Sequence, residues 1–330
     1  MINLIIGVIV LIVAPLLALG INYLYRKLQP PVPAESLVEY GCFANVGGHR
    51  IHIWEEGAGK PVVMIHGFTG TTYDWRNNFK ELSGRFAVFA LDLPGFGYSA
   101  KPLDFNYTPE GFADFVISYK DSRSIEDTVL VGHSMGGFIA VTACLKHPER
   151  VSRLILLDPG GNPRFLPFRL MKLAIVGELL ISLTYQFAVK ETLKGVLYDS
   201  SLVTSDAVDS YCNVYRTENA MITPLIVIRN LAKESPLSPE VLNHVRCPTL
   251  VIWGTNDKVI PPSDAHYPSL PLHLRQAGSM WTCRLKGSLS RLESTSTWEQ
   301  SGPSPICPVL VLMAHPQICE VIRYGVGSGT

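Results

Sequence analysis

The stretch Val131-Gly132-His133-Ser134-Met135-Gly136-Gly137 sets one serine between small residues. A serine hydroxyl is a weak nucleophile at its free pKa, so chemistry at Ser134 requires a partner that takes its proton. An apolar run over residues 129–131 enters the motif, and a helix-compatible run over residues 137–146 leaves it. That strand–turn–helix setting is the one a nucleophile elbow needs. Gly132 and Gly136 permit the tight turn, because a side chain at either place would clash. The turn holds Ser134 above the end of a strand, at a helix N-terminus that favours negative charge. Acyl transfer passes through a tetrahedral oxyanion, which needs preorganised donors. His66-Gly67-Phe68-Thr69-Gly70 follows another apolar run, and the backbone N–H groups of Phe68 and Met135 are the candidate donors, with Gly67 in the same substrate-facing turn. His66 itself reads as a structural turn histidine.

The elements that must position these residues alternate between strand-like and helix-like signals from about residue 40 to 158. Short apolar runs at 61–65, 86–91, 128–131 and 153–157 stop at His66, Asp92, the serine motif and Asp158. Such runs predict a mostly parallel buried sheet, in which ligands bind just past the strand ends. Residues 159–246 lose the rhythm. Pro163, Pro167 and the apolar stretch 170–187 predict an inserted helical cap, with Lys172, Glu178 and Gln186 arguing against a membrane span there. Residues 247–267 return to strand character and form the second part of the core, and 268–330 are an atypical tail.

At the other end, residues 2–25 carry no charge. About 20 apolar residues suffice to cross a bilayer, so residues 1–28 are expected to form an uncleaved membrane anchor, and 29–39, with three prolines, a stiff linker. Arg26 and Lys27 follow the apolar run and place the remaining chain on the cytoplasmic side. Lys+Arg and Asp+Glu are balanced at 28 each, which gives no support to a nucleic-acid partner. The seven cysteines are scattered, without a CxxC pair, and read as reduced structural thiols with no metal site.

Taken together, HGFTG (66–70), DLPGFGYS (92–99), VGHSMGG (131–137), LLDP (156–159) and VIWGTNDKVIPP (251–262) resemble the α/β-hydrolase superfamily, in its serine esterase/lipase branch with a cap. The motifs run in the family's order across roughly residues 40–267. The resemblance implies an α/β-hydrolase fold, a Ser–His–Asp triad, and no metal or organic cofactor. It implies that Asp257 orients the base, with Asp158 as the fallback acid. Ser134 at the elbow argues against the aspartate-nucleophile branches. The family's histidine belongs roughly 25 to 30 residues past the acid, but residues 280–288 hold none, and no convincing strand precedes them. A changed ending of the chain near Tyr267 would account for that, as would a base supplied from elsewhere, or an inactive relative. Of His266, His273 and His315, His315 is the candidate base, because it follows the apolar run 309–313; His273 comes second. The expected function is hydrolysis of carboxylic esters, of the carboxylesterase or monoacylglycerol-lipase kind, on a small ester or lipid substrate at a membrane. The alternatives are an impaired pseudohydrolase that binds lipid or a partner, and a C–C bond or lactone hydrolase.

Overall fold

The computed structural model describes residues 13–160, 166–182, 186–197, 200–233, 242–254, 257, 259–260, 281–283 and 322–323. A nine-stranded sheet organises them. Its strands are β1 (Cys42–Val46), β2 (His49–Glu56), β3 (Pro61–Ile65), β4 (Ala87–Leu91), β5 (Thr128–His133), β6 (Val151–Leu157), β7 (Thr249–Gly254), β8 (Trp281–Cys283) and β9 (Ile322–Arg323), in the order β1-β2-β4-β3-β5-β6-β7-β8-β9. From β4 to β8 all neighbours are parallel, while β1–β2, β2–β4 and β8–β9 are antiparallel. The mostly parallel sheet is the one expected from the short apolar runs. β8 is a strand in a stretch where the residues gave no strand signal.

Those runs are apolar throughout because the sheet buries both faces. Val63, Ile65, Leu130, Leu154 and Leu156 join one core cluster, which also holds Phe112, Val116, Ile139 and Ala143 from two helices, α3 (Pro109–Ser122) and α4 (Met135–Lys146). Their alternates Val62, Met64, Val131, Ile155 and Leu157 join a second cluster with Trp75 and with Phe79 and Leu82 of α2 (Arg76–Ser83). The period of two along each strand thus sorts side chains to opposite faces. Each such side chain contributes about 1.5–3 kcal/mol through burial. Helix α3 starts where Thr108 Oγ accepts from Gly111 N at 3.2 Å, with Pro109 in the first turn. Thr108→Ala is expected to cost about 1 kcal/mol, read as a shifted urea midpoint at constant m-value.

A buried ion pair ties β2 to the chain after β4. His52 Nδ1 lies 2.9 Å from Asp92 Oδ2, and both side chains are fully buried. The other ring nitrogen, Nε2, is 2.9 Å from the Tyr40 carbonyl. Both ring nitrogens therefore face acceptors, and the ring is an imidazolium that donates from each. Burial works against that charge, but Asp92 outweighs it and holds the His52 pKa above its ordinary value. Asp92 also accepts from the backbone N–H groups of Thr72 (2.6 Å) and Tyr98 (2.8 Å). Burial raises the Asp92 pKa, yet His52 and these donors bring it below the usual carboxylate range. Gly97, at φ 51°, closes over this carboxylate, and a Cβ there would sit 2.2 Å from it.

The described helices preceding β1 and between β6 and β7 are α1 (Ala14–Leu28) and then α5 (Leu166–Met171), α6 (Ala174–Ser182), α7 (Gln186–Val196), α8 (Ser205–Val214) and α9 (Thr223–Leu231). The apolar stretch 170–187 is therefore not one helix; its described part breaks at Lys172–Leu173, where α5 ends and α6 begins. Helix α1 packs on α6, and Asn22 Nδ2 donates to Ser182 O at 2.8 Å. Among the described residues no helix is long and apolar enough to cross a membrane. Residues 1–12 of the expected anchor lie outside the described residues. Cys42, Cys144, Cys212 and Cys247 are not joined in disulfides.

Candidate active site

Strand β5 lies between β3 and β6, so whatever leaves its C-terminal end emerges at the middle of the sheet. Ser134 leaves it with φ 51° and ψ −119°. A non-glycine residue at positive φ is strained, and persists only where its surroundings over-determine it. Here the Ser134 N–H donates to Leu157 O at 2.8 Å, and its carbonyl accepts from Gly137 N at 2.9 Å and Gly160 N at 3.1 Å. The elbow is thereby stitched to the end of β6 on one side and to the first turn of α4 on the other. The glycines are required by contact. A Cβ on Gly132 would lie 2.3 Å from Gly136 O, and one on Gly136 would lie 2.2 Å from Ile65 O.

The turn after β3 packs directly on this elbow. Gly70 N donates to Gly67 O at 3.0 Å, and Thr69 adopts φ 59°. A Cβ on Gly67 would come within 3.2 Å of Ser134 Cβ, so the two loops approach as closely as backbone allows. Gly67, Phe68, Ser134 and Met135 border one cavity. His66 is fully buried behind them. Its Nε2 accepts from Leu93 N at 3.0 Å, so its proton is on Nδ1 and donates to Gly67 O at 2.8 Å. It pins the turn to the chain after β4, a structural role, as its setting in the sequence implies.

Two carboxyl groups reach the same cavity from the ends of β6 and β7. Asp158 is buried, with φ 44°; its N–H donates to Ile252 O at 2.9 Å and its Oδ1 accepts from Gly254 N at 2.7 Å. Burial, together with the negative charge of Asp257, pushes the Asp158 pKa well above its ordinary value and disfavours its ionised form. Asp257 is half-exposed, and its Oδ1 accepts from Val259 N (2.7 Å) and Ile260 N (2.9 Å), which fixes the loop that presents it. Ser134 and Asp257 are thus brought together at one cavity from opposite sides of Asp158. His266, His273 and His315 lie outside the described residues.

The cavity measures about 340 Å³. Its far wall is apolar, built by Phe168, Met171, Ile181, Leu193 and Ile228 from the helices between β6 and β7. Three carboxyl groups, Asp74, Asp158 and Asp257, border it, and among its described lining residues there is no Lys or Arg. The motifs assign no role to two of the lining residues. His133 lines the cavity beside the nucleophile, where burial depresses its pKa to about 4 and keeps it neutral. Asp74 is buried at the other end of the Gly67–Gly70 turn, and its Oδ1 accepts from the hydroxyl of Tyr211 on α8 at 2.5 Å. Burial raises the Asp74 pKa above its ordinary value, and the Tyr211 bond offsets only part of that.

The family model for the alpha/beta hydrolase fold matches residues 60–180. An uncharacterized hydrolase of Bacillus subtilis, YugF, is 32% identical over 203 residues, which cover 61% of this chain and 74% of that protein. The 2-hydroxymuconate semialdehyde hydrolase of Pseudomonas sp. (strain CF600) is 41% identical over 126 residues, 37% of this chain and 44% of that protein, so the chain spans less than half of that relative's length. Among solved structures, a bacterial membrane phospholipase A, described as a virulence factor, superposes with a TM-score of 0.60 at 25% identity over 82% of this chain and 88% of that one.

Proposed function

This chain belongs to the α/β-hydrolase superfamily, and from that premise we propose that it is a serine hydrolase that cleaves neutral carboxylic esters of apolar acyl groups at a membrane. The observation that carries the reading is Ser134, held at positive φ on the border of a cavity with an apolar wall. Its Oγ attacks the ester carbonyl, and the backbone N–H groups of Phe68 and Met135, on the Gly67 turn and the first turn of α4, receive the developing oxyanion. A histidine takes the Ser134 proton and returns it to the leaving alcohol; water then cleaves the acyl-enzyme by the same route. We assign that histidine to His315 and its orienting carboxylate to Asp257.

Asp257 is chosen over Asp158 because the orienting acid must be ionised, and burial beside another carboxylate raises the Asp158 pKa and disfavours its ionised form. Asp257→Asn is expected to lower kcat about 10²- to 10⁴-fold. Asp158→Asn preserves an acceptor for Gly254 N and is expected to stay within about threefold of the parent. A larger loss in Asp158→Asn than in Asp257→Asn would show that the acids have been assigned the wrong way round.

The absence of Lys and Arg from the described cavity lining bears on the choice of bond. A substrate that carries its own carboxylate, such as a muconate semialdehyde, would meet three carboxyl groups and no described cation there, at a cost that a neutral ester does not incur. This favours the ester over a C–C or lactone reading. A substrate panel tests it: p-nitrophenyl butyrate and monoacylglycerols are expected to be turned over, and an anionic ring-cleavage product is expected to be refused. Turnover of the anionic compound alone would reverse the conclusion. The absence of a histidine at 280–288 favours one second reading, a hydrolase impaired in turnover that still binds lipid. His315→Asn, His273→Asn and His266→Asn separate the two: loss of activity in one of them identifies an active base, and a folded parent with no turnover supports the impaired reading.

The membrane setting rests on the uncharged residues 2–25 and on an exposed apolar stripe of α1, Leu17, Ile21, Leu24 and Leu28, at three- and four-residue spacing. Arg26 and Lys27 favour a cytoplasmic catalytic domain. Flotation of the full chain with lipid vesicles, lost on deletion of residues 1–28, is the expected result.

A further inference from the structure

The ester reading leaves open what the site recognises on the alcohol side of the bond, and one pair of cavity residues bears on it. Asp74 and Tyr211 lie 137 positions apart and meet at the cavity border through a 2.5 Å hydrogen bond. The pair joins two parts of the molecule, because Asp74 follows the Gly67–Gly70 turn and Tyr211 belongs to α8. Two other tyrosine bonds already tie α8 to the same part of the core. Tyr73 OH donates to Asp206, and Tyr98 OH donates to Ser210 O at 3.4 Å. Neither Tyr73, Tyr98, Asp206 nor Ser210 lines the cavity, whereas Asp74 and Tyr211 both do.

The location of the pair relative to the nucleophile is fixed by close contacts. Ser134 Cβ abuts Gly67, and the Asp74 carboxyl abuts Gly70, where an added Cβ would lie 2.3 Å from Oδ2. The pair therefore sits across one tight turn from Ser134. Its chemistry is that of an acceptor. Tyr211 spends its only O–H on Asp74, so the phenol oxygen has lone pairs to offer and no proton, and the Asp74 carboxyl adds further acceptor sites. The cation that acts on both groups, Arg76, has its guanidinium over the Tyr73 ring and donates to Tyr73 O; it is not among the cavity lining. A partner for this subsite must bring hydroxyl donors and no negative charge.

We propose that Asp74 and Tyr211 form a leaving-group subsite that accepts hydrogen bonds from the hydroxyls of a polyol ester, with glycerol as the type. It rests on the ester reading. The acyl chain would lie against Phe168, Met171 and Leu193, and the polyol would turn toward Asp74 and Tyr211, so that an amphiphile is read at both ends.

The test uses binding of ethers, which needs no catalysis. The full-length parent, Tyr211→Phe and Asp74→Asn are titrated with 1-O-hexylglycerol and with hexyl methyl ether. The parent is expected to bind the alkylglycerol about tenfold more tightly, as one to two net hydrogen bonds allow. Both variants are expected to bring the ratio of the two dissociation constants to within about twofold of one. Tyr211→Phe removes a single oxygen and keeps the test open if Asp74→Asn does not fold. An unchanged ratio in a folded Tyr211→Phe, equal weakening of both ligands, or a parent with no preference would each overturn the proposal. Rates with monohexanoylglycerol and methyl hexanoate separate it from its premise. Preference in binding without hydrolysis of either ester sinks the ester reading alone, and hydrolysis without preference sinks the subsite alone.

Discussion

Replacing Ser134 with alanine is expected to lower the rate of p-nitrophenyl butyrate hydrolysis by about 10⁴- to 10⁶-fold while leaving the fold intact. The size follows from the logic of a triad, in which removing the nucleophile alone costs nearly as much as removing every member. The intact fold follows from the elbow's construction. The bonds that hold residue 134 at φ 51° use its N–H and its carbonyl, directed to Leu157, Gly137 and Gly160, and alanine keeps both groups. Its Cβ occupies the same place against Gly67. Ser134→Gly goes further, because it also releases the strain of positive φ, and it is expected to raise stability by about 1 kcal/mol with the same loss of rate. An alanine variant that retained more than a few per cent of the parental rate, measured as initial rates on purified protein, would remove Ser134 from the chemistry.

The second large effect is on stability. Asp92→Ala is expected to destabilise the protein by about 3–5 kcal/mol, since it strands a buried imidazolium on His52 and leaves the Thr72 and Tyr98 N–H groups without their acceptor. For a chain of this size that corresponds to a fall in Tm of about 10 °C. The two partners give the stability a defined pH window. The folded Asp92 pKa is depressed, so its contribution is complete above the unfolded carboxylate value and is lost as pH falls through the folded one. The folded His52 pKa is raised, so its contribution is complete below the unfolded histidine value and is lost as pH rises through the folded one. The parent should therefore be most stable between the unfolded Asp and His values, and Asp92→Ala should flatten the acid limb. A parent and variant with parallel melting temperatures from pH 3 to 8 would contradict this account of the pair.

What the residues disclosed in advance was local. The runs that became β3, β4, β5, β6 and β7 are short, apolar and stopped by polar residues, and burial on both faces produces that signal wherever it occurs. Ser134, Gly132, Gly136 and the Gly67–Gly70 turn were legible because a tight backbone approach restricts residue type directly. β1 was not legible: its five residues are largely exposed or half-buried at the edge of the sheet, and such a strand needs no apolar pattern. β8 was missed for another reason, since three residues are too few for a period. Two decisive pairs, His52 with Asp92 for stability and Asp74 with Tyr211 at the cavity, join residues 40 and 137 positions apart. Each residue alone looks like an ordinary polar residue, and only the folded sheet brings them together. The raised pKa of Asp158 is likewise a property of place, set by burial and by the neighbouring Asp257.

The central claim is that Ser134 is an activated nucleophile, and the most direct measurement is covalent capture. The full-length protein is treated with a fluorophosphonate, digested, and mapped by mass spectrometry. The account predicts a single phosphonyl adduct, on Ser134, that forms in minutes at micromolar reagent and is absent from Ser134→Ala. A folded protein that remains unlabelled, or that carries the adduct on another residue, would contradict it.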